Sequence, residues 1–241
     1  LLEVLTMDYK NNCPLCGAGL VYFSEPQRLE CSVCHKKFTD NCACANGHYV
    51  CSGCHAKKGV ELITEVCRNT PLKDPIAIML QLMEQPCVHM HGPEHHVLVG
   101  AALLAAYHNC GGKIDLNKAL AEMKRRGKQL PGGICGFWGC CGAAVSAGIF
   151  ASIATGSTPL SADEWRLSNE LTAKALAAVA ASGGPRCCKR DSFAAVIAAV
   201  EFSKEHFGVE MPLPQRVVCR FTALNEECLG DRCPYHPINN G

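Results

Sequence analysis

The stretch Glu94-His-His-Val-Leu-Val-Gly-Ala-Ala-Leu-Leu-Ala-Ala-Tyr-His108 decides the fold class of this chain. It is too apolar for a helix on a protein surface, so it predicts a helix that is packed among others. Helical patterns follow over residues 115–128, 140–155 and 161–181, and again around 193–200. Strands and helices do not alternate, which argues against a doubly wound sheet. The sequence therefore predicts a mainly α protein.

The segment before this stretch has a different composition. Eight of the 19 cysteines lie in residues 13–54, and this segment is polar and rich in turns. Metal ligation would supply the stability that apolar burial cannot give it. Prolines interrupt residues 61–93, which hold one short apolar helix near 76–84. We predict a zinc-ribbon or treble-clef module over 1–60, a connector over 61–93 and an all-α domain over 94–241.

Composition limits the classes of function. The 241 residues carry 23 Lys and Arg against 22 Asp and Glu, and this balance argues against a nucleic-acid partner. No apolar run reaches the ~20 residues of a membrane span, which argues against a membrane partner. The first residues lack the pattern of a secretory signal, so we expect a cytoplasmic protein. Cysteines in that compartment bind metal more often than they form disulfides.

Two C-x2-C knuckles, Cys13-Pro-Leu-Cys16 and Cys31-Ser-Val-Cys34, form the first predicted zinc site. Each knuckle presents two thiolates from one tight turn, and two knuckles complete a tetrahedral Zn²⁺ shell. Because all four coordination positions are then occupied by protein, this site is expected to stabilise the module without binding a substrate.

The sequence Gly47-His-Tyr-Val-Cys-Ser-Gly-Cys54 indicates a second zinc site of RING or treble-clef type. Cys42 and His55 are spare ligands of this site. Spacing leaves open a cross-braced arrangement, in which the two sites exchange pairs of ligands. Such modules also dock protein partners, so that role is kept as an alternative. The predicted ligands of the second site are Cys44, His48, Cys51 and Cys54.

The later cysteines do not form knuckles, and three interpretations compete for them. They bind an iron–sulfur cluster, expected to be [4Fe–4S], they form a redox-active dithiol or disulfide set, or they are simply buried or zinc-bound. The vicinal pairs 140–141 and 187–188 stand where helices are predicted to begin, which would lower their thiol pKa values. The irregular run that ends in Cys233-Pro favours the cluster. The candidate ligands are Cys135, Cys140, Cys141, Cys187, Cys188, Cys219, Cys228 and Cys233.

Other residues are candidates for acid–base chemistry and cofactor binding. Glu94, His95 and His96 fall in the first turn of the buried helix, where a histidine tends to stay neutral and can accept a proton or bind a metal. Glycines near the cysteines let the backbone approach a ligand closely, and neighbouring cations suit an anion. The predicted cofactor-binding residues are Gly132, Gly133, Gly136, Lys189 and Arg190.

A family resemblance is carried by the two knuckles and by residues 46–55, 91–96, 131–136, 139–144, 183–192 and 228–234. In these stretches the chain resembles an uncharacterised prokaryotic cysteine-rich family of methanogens and other anaerobes, whose members are often labelled SAM-dependent methyltransferases. The label implies a Rossmann-like core, which the sequence pattern does not show. The run from Cys135 to Ala144 is also similar to a redox family named for its C-GCAxxG-C-C motif, although its spacing departs from that motif.

The sequence favours a metalloprotein with two structural zinc sites and an iron–sulfur or redox-active thiol centre. Redox chemistry, sulfur transfer or desulfuration suits such a centre, with a small-molecule or sulfur-containing substrate. The alternatives are a SAM-dependent methyltransferase, as the family label implies, and a non-enzymatic zinc module that binds a protein partner. The sequence does not indicate an oligomeric state.

Overall fold

The computed structural model describes residues 13, 15–16 and 18–240, and it confirms the mainly α prediction. The first twelve residues of the predicted zinc module lie outside the described residues. Within the described part there are eight helices and one two-stranded antiparallel sheet. Short 3-10 turns follow in the tail. The elements are β1 (Leu20–Glu30), β2 (Lys37–Cys44), α1 (Ser52–Asn69), α2 (Pro75–Met83), α3 (His95–Asn109), α4 (Leu116–Gly127), α5 (Ile134–Phe137), α6 (Gly142–Thr155), α7 (Asp163–Ala181) and α8 (Cys188–Phe207).

Helix α3 is the centre of the fold, as its apolar sequence predicts. Every residue from His95 to Tyr107 is buried. The helix contacts α1, α2, α4, α6 and α8, so its apolar surface is covered on all sides. Among the described residues, neither α3 nor any other helix has the length and apolarity needed to cross a membrane.

Small residues let α6 pack closely against its neighbours. A Cβ at Gly148 would collide with the Thr172 hydroxyl of α7 and would lie 3.1 Å from the Ser168 carbonyl oxygen. On the other side, the backbone N–H of Gly100 in α3 donates to Ser146 Oγ at 2.9 Å. This close packing fixes the start of α6, where one wall of the candidate site begins.

Helix α1 runs across residue 60, where the sequence predicts the boundary between the zinc module and the connector. It continues through that position, and its residues Val60 and Ile63 are buried in the same core as α3. The predicted connector therefore begins inside a helix. The short helix predicted near 76–84 is present as α2, where Asp74 caps the N-terminus by accepting from the backbone N–H of Ile76 at 2.8 Å.

Strands β1 and β2 form a hairpin that rests against the helical body. Leu20 pairs with Cys44 at its open end, and Glu30 pairs with Lys37 next to the turn. The guanidinium of Arg186, just before α8, donates to the Tyr22 hydroxyl at 2.7 Å. This contact attaches the hairpin to the segment that carries two of the candidate cluster cysteines.

Candidate metal centres

The open end of the hairpin brings together the first group of metal-ligating side chains: Cys13, Cys16, Cys44 and His48. Their ligand atoms all lie within 4.8 Å of one another. Cys16 Sγ is 3.5 Å from Cys44 Sγ and 3.3 Å from His48 Nδ1. Ligands about 2.3 Å from one tetrahedral ion lie about 3.8 Å apart, so the spacing suits a single Zn²⁺. The backbone N–H of Ala18 lowers the pKa of the Cys16 thiol to about 6, which favours the metal-binding thiolate.

The turn of the hairpin brings together the second group, which consists of Cys31, Cys34, Cys51 and Cys54. Cys34 Sγ and Cys51 Sγ are 3.9 Å apart. Burial opposes ionisation of Cys31, but backbone N–H groups, including that of Cys51 at 3.3 Å, lower its pKa to about 6. Four sulfurs at this spacing also suit one tetrahedral ion.

The two groups use the eight predicted residues but exchange their partners, so the predicted sequential grouping is wrong. Pairing of Leu20 with Cys44 brings the knuckle of Cys13 next to the end of β2. The chain after β2 then returns to the hairpin turn, where Ser32 donates to the Tyr49 carbonyl at 2.8 Å. This is the cross-braced alternative that spacing left open.

Four of the eight candidate cluster cysteines line one small, enclosed cavity under the tail. Apolar side chains, including Met90 and Phe221, form most of the remaining wall. No three of the four sulfurs lie within 4.8 Å of one another, unlike the two hairpin groups. The four cysteines are Cys187, Cys219, Cys228 and Cys233.

Nitrogen donors point at the sulfurs of this cavity. The backbone N–H of Arg190 donates to Cys187 Sγ at 3.5 Å, and the Asn225 amide donates to the same sulfur at 3.6 Å. The backbone N–H of Phe221 donates to Cys219 Sγ at 3.4 Å. Such hydrogen bonds to sulfur accompany iron–sulfur ligation and tune its reduction potential.

Three further candidate cysteines, Cys135, Cys141 and Cys188, line a different cavity of about 190 Å³, which we call the chamber. The hairpin, the first turn of α1 and the starts of α3, α6 and α8 form its wall. Arg186 also lines the chamber, and its place next to Cys187 was the only sign of this in the sequence. Cys140 lines neither cavity. The predicted single cysteine centre is therefore divided in two.

The prediction of lowered thiol pKa values at the helix starts is wrong for the buried cysteines. Cys141 and Cys187 do cap α6 and α8, and backbone N–H groups do favour their thiolates. Burial outweighs this effect and raises the pKa of Cys141 to about 12 and that of Cys187 to about 11. Burial also raises the pKa of Cys188. Without a metal, these thiols stay protonated at neutral pH.

The predicted acid–base residues lie at the start of α3. His95 and His96 line the chamber, and the Glu94 carboxylate is buried behind them. Burial lowers the pKa of His95 to about 3, and it also lowers that of His96, so both imidazoles are neutral at pH 7. The backbone N–H of His89 donates to Glu94 Oε1 at 2.8 Å.

The predicted cofactor-binding residues are divided between cavities. Gly132 and Gly133 line the chamber, whereas Gly133, Gly136 and Arg190 line a neighbouring surface cavity. The side chains of Lys189 and Arg190 are buried and hydrogen-bonded inside the protein, and their role towards a cofactor stays a prediction. Lys189 Nζ donates to the His89 carbonyl at 2.9 Å, and Arg190 donates to Asp191 Oδ1 at 3.0 Å.

These features define a cysteine-rich, mainly α-helical protein with candidate metal sites on a hairpin and in its helical body. The chain belongs to the family of unknown function DUF5714, whose profile matches residues 63–236. That description carries no methyltransferase or redox label. No curated protein and no solved structure matches the chain. The matched range contains the cysteines of the enclosed cavity, whereas the two thiolate groups of the hairpin precede it.

Proposed function

We propose that this protein is an iron–sulfur redox protein whose hairpin carries two structural zinc ions. One observation carries the proposal: four cysteine side chains converge on one enclosed, mostly apolar cavity. The proposed ligands of a [4Fe–4S] cluster are Cys187, Cys219, Cys228 and Cys233.

The spacing of the sulfurs favours a cluster over a single ion at this cavity. In the hairpin groups, neighbouring sulfurs such as those of Cys16 and Cys44 lie 3.5 Å apart, as a shared ion requires. In the enclosed cavity no three of the four sulfurs form such a compact group. This suits a cubane, in which each cysteine binds a different iron.

The charges around the cavity suit the same group. Four thiolates add negative charge to a buried site, and this charge needs a nearby cation. Lys189 Nζ lies over the Phe221 ring, 5.1 Å from its centroid, and Phe221 forms part of the cavity wall. Burial lowers the pKa of Lys189 to about 8, and the charges of Glu94, Cys187 and Cys219 oppose this effect by favouring its protonated form. In this proposal Lys189 balances the charge of the cluster from inside the protein.

A four-cysteine ligand set leaves no iron open to a substrate, so the chemistry that such a cluster supplies is the transfer of single electrons. We infer that a small molecule in the chamber is reduced one electron at a time while an external one-electron donor is oxidised. In the chamber, Arg186 offers a positive charge to the substrate. His95 donates through Nδ1 to the Gly92 carbonyl at 3.0 Å, which leaves Nε2 free to accept a hydrogen bond.

The proposal also requires a reducing compartment, such as the cytoplasm of an anaerobe. All the cysteines are free thiols in the structure, including the exposed Cys16. Thiolates bind zinc and iron only while they remain reduced.

Anaerobic purification tests the proposal. We expect brown protein with sulfur-to-iron absorption in the visible range and about four irons and four labile sulfides per chain. The variant Cys219→Ala should lose iron, sulfide and colour, whereas Cys110→Ala, which changes a cysteine outside the cavity, should keep them. Circular dichroism establishes that both variants are folded. Colourless wild-type protein that takes up no iron after anaerobic reconstitution with iron and sulfide would overturn the proposal.

A further inference from the structure

A third group of ligating side chains contains no cysteine. His55 comes from the first turn of α1, His89 from the loop before α3, and Glu94 from the residue that precedes α3. One ligand atom from each lies within 4.8 Å of those from the other two. We infer that His55, His89 and Glu94 bind a divalent transition-metal ion and leave coordination positions open.

The geometry of the group is compact. Glu94 Oε1 is 3.0 Å from His89 Nδ1, and Glu94 Oε2 is 3.9 Å from His55 Nδ1. The two imidazole rings have centroids 4.2 Å apart and planes inclined by 44°. The carboxylate therefore reaches both imidazoles from one side, as ligands that share an ion must do.

Unsatisfied polar atoms indicate that something is bound here. The Glu94 side chain is fully buried, yet its Oε2 has no hydrogen-bond partner, and neither does His55 Nδ1. A buried carboxylate oxygen without a partner destabilises the folded protein, because its interactions with water are lost and not replaced. One cation between these atoms satisfies both.

The backbone around the carboxylate is shaped to accommodate it. A Cβ at Gly92 would collide with both carboxylate oxygens of Glu94, so only glycine fits there without a shift. Lys189 holds the adjacent loop by donating to the Val88 carbonyl at 3.2 Å and to the His89 carbonyl at 2.9 Å. Glu94 and His89 are thus fixed before any ion binds, which lowers the cost of binding.

The donor set determines the chemistry. Two imidazoles and one carboxylate suit first-row divalent ions such as Zn²⁺ or Fe²⁺, and three protein ligands leave room for water or substrate. His55 also lines the chamber, and the His89 side chain is about one-third exposed. The ion would therefore lie in the chamber wall, where it can act as a Lewis acid towards a small molecule or a bound water.

This site is independent of the proposed cluster. None of its three residues lines the enclosed cavity. It also combines two parts of the chain, because His55 precedes the range that the family profile matches, whereas His89 and Glu94 lie within that range. Either centre can therefore fail in experiment while the other stands.

Zinc binding tests the inference with His89→Ala as the principal variant, because His89 is partly exposed and remote in sequence from the hairpin thiolates. Each protein is saturated anaerobically with Zn²⁺, dialysed and analysed for zinc and iron. We expect His89→Ala and Glu94→Gln to contain about one zinc fewer per chain than the wild type, with iron unchanged. The control His108→Ala, at the exposed end of α3, should bind as much zinc as the wild type.

A second measurement keeps the inference falsifiable if Glu94→Gln does not fold. Co²⁺ is added to wild-type protein and to His89→Ala after the thiolate sites are filled with zinc. A nitrogen–oxygen site gives weak ligand-field bands without thiolate charge transfer, and these should appear in the wild type alone. Equal zinc content in wild type and folded His89→Ala, or equal cobalt spectra, would overturn the inference.

Discussion

Cys187 and Cys188 are joined by one peptide bond, yet they line two different cavities. Cys187 caps α8 in an extended conformation and faces the enclosed cavity, whereas Cys188 is the first residue of that helix and faces the chamber. The start of α8 therefore forms a thin partition between the proposed cluster and the proposed substrate.

The pair provides a direct test of this partition. We expect Cys187→Ala to lose iron and visible absorption, because it removes one of four proposed ligands. Cys188→Ala should keep both, because its sulfur lies outside the cluster cavity. Iron analysis and absorption spectra of the two anaerobically prepared variants check this. Loss of the cluster in folded Cys188→Ala, with retention in Cys187→Ala, would contradict the assignment.

The exchanged pairing of the hairpin groups predicts different zinc losses for two double variants. Cys13→Ser with His48→Ala damages one group and should remove one zinc ion, because the other group keeps all its ligands. Cys13→Ser with Cys31→Ser damages both groups and should remove both ions. Elemental analysis of the purified variants measures the losses. The sequential grouping predicts the reverse order.

The buried ion pair at the start of α8 should contribute strongly to stability. Arg190 and Asp191 are both almost fully buried, and Arg190 also donates to the carbonyls of Gly183 and Pro185. Arg190→Met leaves the Asp191 carboxylate without its partner, so we expect a loss of about 3–5 kcal/mol. Denaturant unfolding measures the loss. Arg125→Met, at an exposed ion pair on α4, is the matched control and should unfold close to the wild type.

The close contact between α6 and α7 predicts a cost for one added methyl group. Gly148→Ala forces the Thr172 hydroxyl and the Ser168 carbonyl away from α6, and we expect a loss of about 1–3 kcal/mol. Adding Thr172→Ala should restore part of that loss, because it removes one of the two clashing groups. Thermal unfolding checks both effects. Gly136→Ala is the control, since no atom lies within 4 Å of its added Cβ.

Local pattern predicted most of the helices because their apolar periodicity is a property of short segments. The apolar run after Glu94 became the buried α3, and the pattern over 161–181 became α7, whose buried residues are Leu171 and Ala175. Helix α7 begins at Asp163, after the start of that pattern. The Ser161 hydroxyl accepts from the backbone N–H of Thr158 at 3.0 Å, and α7 begins without a side-chain cap.

The eight candidate ligands of the two hairpin groups were also predictable, but their grouping was not. C-x2-C spacing reports a local turn, whereas the partner of each knuckle depends on strand register. The pairing of Leu20 with Cys44 settles that question, and no residue type near Cys13 signals it.

For the later cysteines, too, the sequence did not reveal which side chains lie together. Their number indicates metal chemistry, but only tertiary packing separates Cys188 from Cys187. Burial then raises the thiol pKa values, whereas the helix starts alone would lower them. The group of His55 with Glu94 was equally hidden, since the two residues lie far apart in the sequence.

Helix α1 has a mechanical consequence. Its first turn carries Cys54 of the hairpin and His55 of the proposed third metal site, and Ile63 farther along is anchored in the core. One continuous helix thus joins the second hairpin group, the proposed third metal site and the core, so it restricts movement of the hairpin relative to the core. If the hairpin groups bind metal as proposed, losing that metal would free Cys54 and so loosen the position of His55 relative to Glu94.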